Sequence, residues 1–147
     1  MTPKGTERFK AARILLVEDS APIRQRLRRL IEETGLAQVM GEAASVAAAL
    51  FLVHENPFDA VVLDLHLWDG TGFAVLAEVK RVHPDCVVII LAGSSSAEER
   101  ALCLQLGADH CFDKVTEIER IPEVLTGLHR PRTDPMIPKN IAKEAQP

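Results

Sequence analysis

Ala60-Val61-Val62-Leu63-Asp64 is an apolar run that ends in an acid, with Phe58-Asp59 before it and Asp69-Gly70 close behind. A wholly apolar run of this length suits a strand covered on both faces. Its polarity changes at Asp64, where such a strand emerges at its C-terminal edge. Open α/β sheets place their sites along that edge. Ile14-Leu15-Leu16-Val17 repeats the pattern and ends in Glu18-Asp19. Packing does not explain acids at two strand tips, because a carboxylate gains nothing from apolar surroundings. They read as a site built from carboxylates.

Outward from this stretch, strand and helix alternate. Strands are expected over 13–17, 39–43, 60–63 with Asp64 at the tip, 87–91, and 109–113 with Lys114 at the tip. Gly41 interrupts the second of these. Ser20 is placed to cap the first helix, with Pro22 in its permissive first turn. Ile23, Leu27, Leu30 and Ile31 form its apolar stripe, and Gly35 closes it. Ser45 caps a second helix that offers Val46, Ala47, Leu50, Phe51 and Val53, and Asn56-Pro57 ends it. Thr71-Gly72 opens a third helix carrying Phe73, Leu76 and Val79. Ser96 with Glu99 fits a capping box for a fourth, which runs to Gly107. Ile118, Ile121, Leu125 and Leu128 mark the last helix, whose start Pro122 makes irregular. Five such alternations imply βαβ units. The expected fold is α/β, a single doubly wound five-stranded parallel sheet flanked by helices. Residues 1–11 read as a lead-in and 12–130 as the domain. Residues 131–147 read as an untethered tail, with Pro131, Pro135, Pro138 and Pro147 and few large apolar side chains.

With 147 residues, the chain can form one domain with a proper core but not two ordinary ones. Hydrophobic residues are 47% and charged residues 26%, which is globular composition. No apolar run approaches the roughly 20 residues of a membrane span, and the start lacks the apolar core of a secretory signal. A cytoplasmic location is therefore expected. Cys86, Cys103 and Cys111 make neither an even disulfide framework nor a CxxC pair, so they read as small buried hydrophobes. Arg24, Arg26, Arg28 and Arg29 crowd the first helix. A basic helix can meet nucleic acid, but no aromatic residues lie nearby for stacking and the net charge is −4. A solvated face is the reading preferred, with no nucleic-acid binding.

In a parallel sheet Glu18, Asp19, Asp64 and Lys114 all reach the same edge. Clustered acids repel, which raises at least one pKa and favours a divalent cation. Oxygen ligands suit Mg²⁺ or Mn²⁺ with several waters retained. A lysine beside them can neutralise a phosphate or pair with a carboxylate. Such a site can host phosphoryl transfer with Asp64 as nucleophile.

These motifs resemble the receiver domain of two-component response regulators (CheY-like). The resemblance spans about Ala12 to His129 and rests on the Ile14–Asp19 and Phe58–Asp64 segments, Asp69-Gly70-Thr71-Gly72, Leu106-Gly107-Ala108-Asp109 and Lys114. It implies that Asp64 is the phosphoacceptor. Glu18 and Asp19 match the acidic pair that holds Mg²⁺, completed by the backbone carbonyl of His66, and Lys114 matches the lysine that contacts the phosphoryl group. It also implies a histidine kinase or histidine phosphotransfer protein as donor, an unidentified downstream protein target, and loss of the phosphate by hydrolysis rather than a conventional enzyme activity.

Several positions depart from that pattern. Ala92 stands where the family usually has a hydroxyl residue, and alanine has no donor. Among the phosphate-proximal residues Ala92, Gly93 and Ser94, only Ser94 carries a hydroxyl, and Ser95 follows it. Val115 replaces the proline that commonly follows the lysine, so a cis bond there is not expected. Cys111 occupies the aromatic switch position. Trp68 replaces a frequent proline and is expected to pack across its loop rather than to stand exposed, while the His66 side chain is expected to be partly exposed. The leading reading is a stand-alone phosphoacceptor receiver. The alternative is a pseudo-receiver, an interaction module not switched by phosphate. A small Mg²⁺-dependent phosphatase or phosphotransfer enzyme acting on metabolites is disfavoured, because no cap domain or Walker-type glycine loop is recognisable.

Overall fold

The computed structural model describes residues 10–93 and 97–128. Five strands, β1 (Ala12–Val17), β2 (Ala37–Ala43), β3 (Ala60–Asp64), β4 (Val87–Ala92) and β5 (His110–Asp113), form one sheet. Its order is β2-β1-β3-β4-β5 and every pairing is parallel. The helices are α1 (Ala21–Glu32), α2 (Val46–Glu55), α3 (Gly72–Val82), α4 (Ala97–Gln105) and α5 (Ile121–Thr126). This is the doubly wound architecture expected. The chain steps from β1 out to β2, then crosses back to β3 on the other side of β1. That reversal opens a crevice at the C-terminal edge between β1 and β3.

Strand alternation divides the core into two layers. Ile14, Leu16, Val62, Ile89 and Leu91 face Leu27 and Ile31 of α1 and Ile121 and Leu125 of α5. Leu15, Val17, Val61, Leu63, Val88 and Ile90 face the layer of α2, α3 and α4, where Ala49, Val53, Leu76, Val79 and Cys103 complete the packing. The inner strands are apolar on both faces because both are covered.

Local signals explain most boundaries. The Ser20 hydroxyl accepts from the Ile23 amide at 3.4 Å, and the Ser45 hydroxyl from the Ala48 amide at 3.0 Å. A 3₁₀ turn, Ile118–Arg120, leads into α5 with Pro122 in its first turn, which is how the chain accommodates that proline. The Leu106–Asp109 motif proves architectural. Gly107 has φ +105, a conformation that ends α4 and turns the chain into β5. Asp109 then accepts from the Val88 amide at 2.8 Å and from Lys80 Nζ at 2.9 Å, tying β5 to β4 and α3.

Other expectations need correction. β2 begins at Ala37 and runs through Gly41 without breaking. Its register with β1 slips once, between the pairs Ile14–Val39 and Leu15–Gly41. Val53 is buried and Val46 and Leu50 pack against the core as expected, but Phe51 is 64% exposed, Ala47 is exposed too, and Ala49 takes an inward position instead. Ile23 is 37% exposed and lies at the margin of the α1 stripe. Thr71 precedes α3 but its side chain makes no capping bond. Cys86 lies just before β4. Cys86 and Cys103 are buried, and burial pushes their thiols up to about 12 and about 11. The Ser96 cap, Ser94 and Ser95, His129 and the 131–147 segment lie outside the described residues. No helix among the described residues is long and apolar enough to cross a membrane.

Asp69 has a role the sequence did not disclose. Its carboxylate accepts from the Val46 amide at 2.8 Å and the Ala47 amide at 3.2 Å, joining the β3–α3 connection to the N-terminus of α2. These bonds, the Val46 one foremost, hold its pKa below the usual aspartate value. A depressed folded pKa contributes stability that is present above the unfolded value and lost as pH falls through the folded one. We therefore expect Asp69→Asn to lower Tm at pH 7 but to approach wild type at pH 3, as measured by thermal melts across that range. An undiminished difference at acid pH would mean that the charge is not what matters.

Candidate functional site

The site lies at the C-terminal edge of β1, β3 and β5. Glu18 is held as β1 ends: its amide donates to the Ala43 carbonyl at 2.9 Å, and its Oε2 accepts from the Ser20 amide at 3.0 Å. The Glu18 side chain is fully buried, which is costly for an acid that lacks partners. Asp19 is exposed, and its Oδ2 accepts from the Trp68 amide at 3.0 Å. Asp64 is 4% exposed, and its Oδ1 accepts from the His66 amide at 3.3 Å. Ligand oxygens of these three acids lie within 4.8 Å of one another.

Lys114 reaches this cluster from the end of β5. Its Nζ sits 2.8 Å from Asp64 Oδ2 and 2.9 Å from Glu18 Oε1. Its backbone amide donates to the Ala92 carbonyl at 2.8 Å, so the β4 tip fixes the base of the lysine. Burial alone pulls the ammonium pKa down, but the bonds and charges of Asp64 and Glu18 outweigh it and leave the pKa raised. Burial pushes the Glu18 carboxyl above its usual range, and Asp64 adds to that. The Ser20 amide and Lys114 oppose this shift without cancelling it. Glu18 Oε1 is buried and accepts no well-aligned hydrogen bond, despite its ion pair with Lys114.

The β3–α3 connection is pinned to the same edge. The Leu65 amide donates to the Leu91 carbonyl, the Gly72 amide to the Leu65 carbonyl, and His66–Leu67 pairs with Gly70–Thr71 as a short antiparallel hairpin. A Cβ on Gly72 would lie 2.8 Å from the Asp64 carbonyl oxygen and 3.3 Å from Leu65 Cα. α3 thus starts in direct backbone contact with the strand tip that carries Asp64, and only glycine permits that approach.

The expected residues Glu18, Asp19, Asp64 and Lys114 converge. Ala92 lies at the buried end of β4, beside Asp113 of β5, with Gly93 next to it. Cys111 is half-buried and packs on the α2–α4 side. The peptide bonds of the described residues are all trans, Lys114–Val115 among them. The His66 ring is exposed as expected and lies 3.5 Å from Glu99. Trp68 overturns its expectation: it is 75% exposed, and its backbone amide donates to Asp19. Its neighbour Leu67 takes the inward, buried position. Sequence reasoning also missed Arg24, whose Nη1 donates to the Glu18 carbonyl at 2.7 Å. A basic residue one turn into the helix that follows an acidic strand tip was the available signal.

A doubly wound module with an acid cluster at its switch point and a lysine across it belongs to the class that can hold a hard divalent cation beside a nucleophilic carboxylate. The family follows from comparison with known proteins. The chain belongs to the response regulator receiver domain family, whose model matches residues 14–126. It is 29% identical over 112 residues to the photosynthetic apparatus regulatory protein RegA of Cereibacter sphaeroides, covering 76% of this chain and 60% of RegA. It is 31% identical over 123 residues to the response regulator MprA of a Mycobacterium species, covering 84% and 52%. The chain therefore spans little more than half the length of these curated relatives. Among solved structures, a LuxR-family two-component response regulator from Aurantimonas sp. SI85-9A1 superposes with a TM-score of 0.72 at 28% identity, covering 92% of this chain and 99% of that one. The non-phosphorylated HemR receiver domain of Leptospira biflexa gives 0.70 at 31% identity, covering 80% and 93%. The fold is that of the CheY-like receiver.

Proposed function

We propose that this receiver takes a phosphoryl group from a phosphohistidine onto Asp64 and signals by binding another protein. The observation that carries this reading is the convergence of Glu18, Asp19 and Asp64, with carboxylate oxygens within 4.8 Å of one another and Lys114 Nζ bridging two of them. The donor set fits Mg²⁺, with Mn²⁺ as a substitute. It is all oxygen and anionic, and buried Glu18 Oε1 lacks a well-aligned partner. Glu18, Asp19 and Asp64, with the backbone carbonyl of His66, would hold the ion. When bound, it neutralises the charge of the incoming phosphoryl oxygens.

The chain's own residues do the rest. An Asp64 carboxylate oxygen attacks phosphorus, the P–N bond to the donor histidine breaks, and a P–O bond forms. Lys114 is held protonated by the two acids, so it can turn from Asp64 to the new phosphoryl oxygens. Water later cleaves the acyl phosphate and releases inorganic phosphate. Ala92 contributes no donor to the phosphoryl oxygens. The functional unit is residues 12–130, with 131–147 as a tail, and the location is cytoplasmic. The donor is a histidine kinase or phosphotransfer protein. Nucleic-acid binding is not part of this reading: Arg24, Arg26 and Arg28 of α1 pair with Glu42, Glu119 and Glu32 rather than forming an open basic face.

Incubation with acetyl phosphate and Mg²⁺ should add one phosphoryl group by intact mass, and chelation of the metal should abolish the addition. If neither acetyl phosphate nor any phosphohistidine donor modifies the protein, the interaction module that is not switched by phosphate takes its place.

A further inference from the structure

We propose that Arg24 is a positioning residue that holds the Glu18–Asp19 turn in its cation-binding geometry; this rests on the metal site assigned above. Arg24 sits in the first turn of α1 with its side chain only 21% exposed. Its guanidinium spans three elements. Nη1 donates to the Glu18 carbonyl at 2.7 Å, and Nε donates to Glu42 Oε1 on β2 at 3.0 Å. The residue after Glu42 is Ala43, whose carbonyl takes the Glu18 amide at 2.9 Å. Both backbone polar groups of Glu18 are therefore anchored, the amide by β2 and the carbonyl by an arginine that β2 itself orients. Arg28, one turn further along α1, also binds Glu42 and stops that carboxylate from swinging away.

The turn needs this support because it is short and must aim two side chains differently. The Glu18 carboxylate points into the buried cluster, while the exposed Asp19 carboxylate must meet it from outside. On its side-chain end, Asp19 is fixed by one bond from the Trp68 amide. The planar guanidinium fork can satisfy a carbonyl and a carboxylate in fixed directions at once, whereas an ammonium offers a point charge on a flexible stem. Groups that orient ligands in this way tune metal affinity, and removing one typically weakens it by about 10–100-fold.

Field and positioning predict opposite signs. Arg24 is a cation near an acidic metal site, so its charge alone repels Mg²⁺, and neutralising it tightens binding. If Arg24 acts by positioning, neutralising it weakens binding.

The test is calorimetric titration of Mg²⁺ into wild type, Arg24→Gln, Arg24→Lys and Arg26→Gln, with amide NMR spectra of each metal-free protein. Arg26 supplies the charge control, because its contact is an exposed 3.8 Å pair with Glu119 away from the turn. Arg24→Gln should weaken Mg²⁺ roughly tenfold, with Arg24→Lys recovering part of the loss and Arg26→Gln unchanged or slightly tighter. In the metal-free Arg24→Gln protein the Glu18, Asp19 and Ser20 amides should shift or broaden while the β3 and β4 amides stay put. Unchanged or tighter binding by Arg24→Gln overturns the positioning role. A wild type that binds no Mg²⁺ contradicts the metal site instead, and the metal-free amide signals then decide on Arg24 alone, since wild-type shifts in Arg24→Gln would refute it.

Discussion

In metal-free buffer Lys114→Met should melt well below wild type, and added Mg²⁺ should restore most of the difference. Lys114 is the cation that compensates Glu18 and Asp64, two acids that are buried within the same crevice. Removing one partner of a buried ionic cluster leaves the others uncompensated, at a cost of roughly 3 kcal/mol. For a domain of this size that corresponds to a fall in Tm of about 10 °C. The cost is limited because Glu18 can take up a proton, toward which burial already biases it. Mg²⁺ replaces the lost charge and, with no ammonium competing for the same oxygens, should bind the variant more tightly than it binds wild type. Equal melting of both proteins without metal would place the stability of this edge elsewhere. A variant that Mg²⁺ fails to rescue would mean the acids do not form the cation site.

The second large effect belongs to a residue without a side chain. Gly72→Ala should cost about 1–3 kcal/mol, because the new methyl meets, besides the Leu63 side chain, the Asp64 carbonyl oxygen and Leu65 Cα, backbone atoms that cannot rotate away. Relief requires the α3 start or the β3 tip to move. Either motion disturbs the Leu65 carbonyl to Gly72 amide bond and with it the hairpin that carries His66. Phosphoryl acceptance should therefore fall along with Tm. A contrasting substitution, Gly93→Ala, places its Cβ where no described residue lies within 4 Å and should leave Tm nearly unchanged. Similar melting of the two variants would show that the close approach at Gly72 is not a constraint.

The parts of the molecule legible in the sequence were those written in periodicity and polarity breaks. β1, β3 and β4 are covered on both faces, so their composition alone marks them, and Glu18, Asp19 and Asp64 stand out because they break such runs at the C-terminal end, while Lys114 is marked by its place at the tip of β5. Ser20 and Ser45 were readable because a cap is a local event. What stayed hidden depends on contacts distant in sequence. Phe51 has the spacing of a core residue, but only the docked α2 shows that Ala49 and Val53 take the inward face. Trp68 is large and apolar, yet it stands exposed while its neighbour Leu67 takes the buried position. Asp69 caps a helix that precedes it by more than twenty residues, and Arg24 reaches back to a carbonyl on another element. Gly41 looked like a break but pairs with Leu15 just past a one-residue register slip at Met40, which an edge strand tolerates.

The central claim is that Asp64 carries the phosphoryl group, and the most direct measurement is to locate that group. Protein treated with acetyl phosphate and Mg²⁺ would be reduced with borohydride, which converts an acyl phosphate on aspartate to homoserine, then digested and sequenced by mass spectrometry. Phosphorylation of Asp64 predicts homoserine at position 64 and nowhere else in wild type, and no homoserine in Asp64→Asn. Homoserine at position 19, or modification that persists at full stoichiometry in Asp64→Asn, would contradict it.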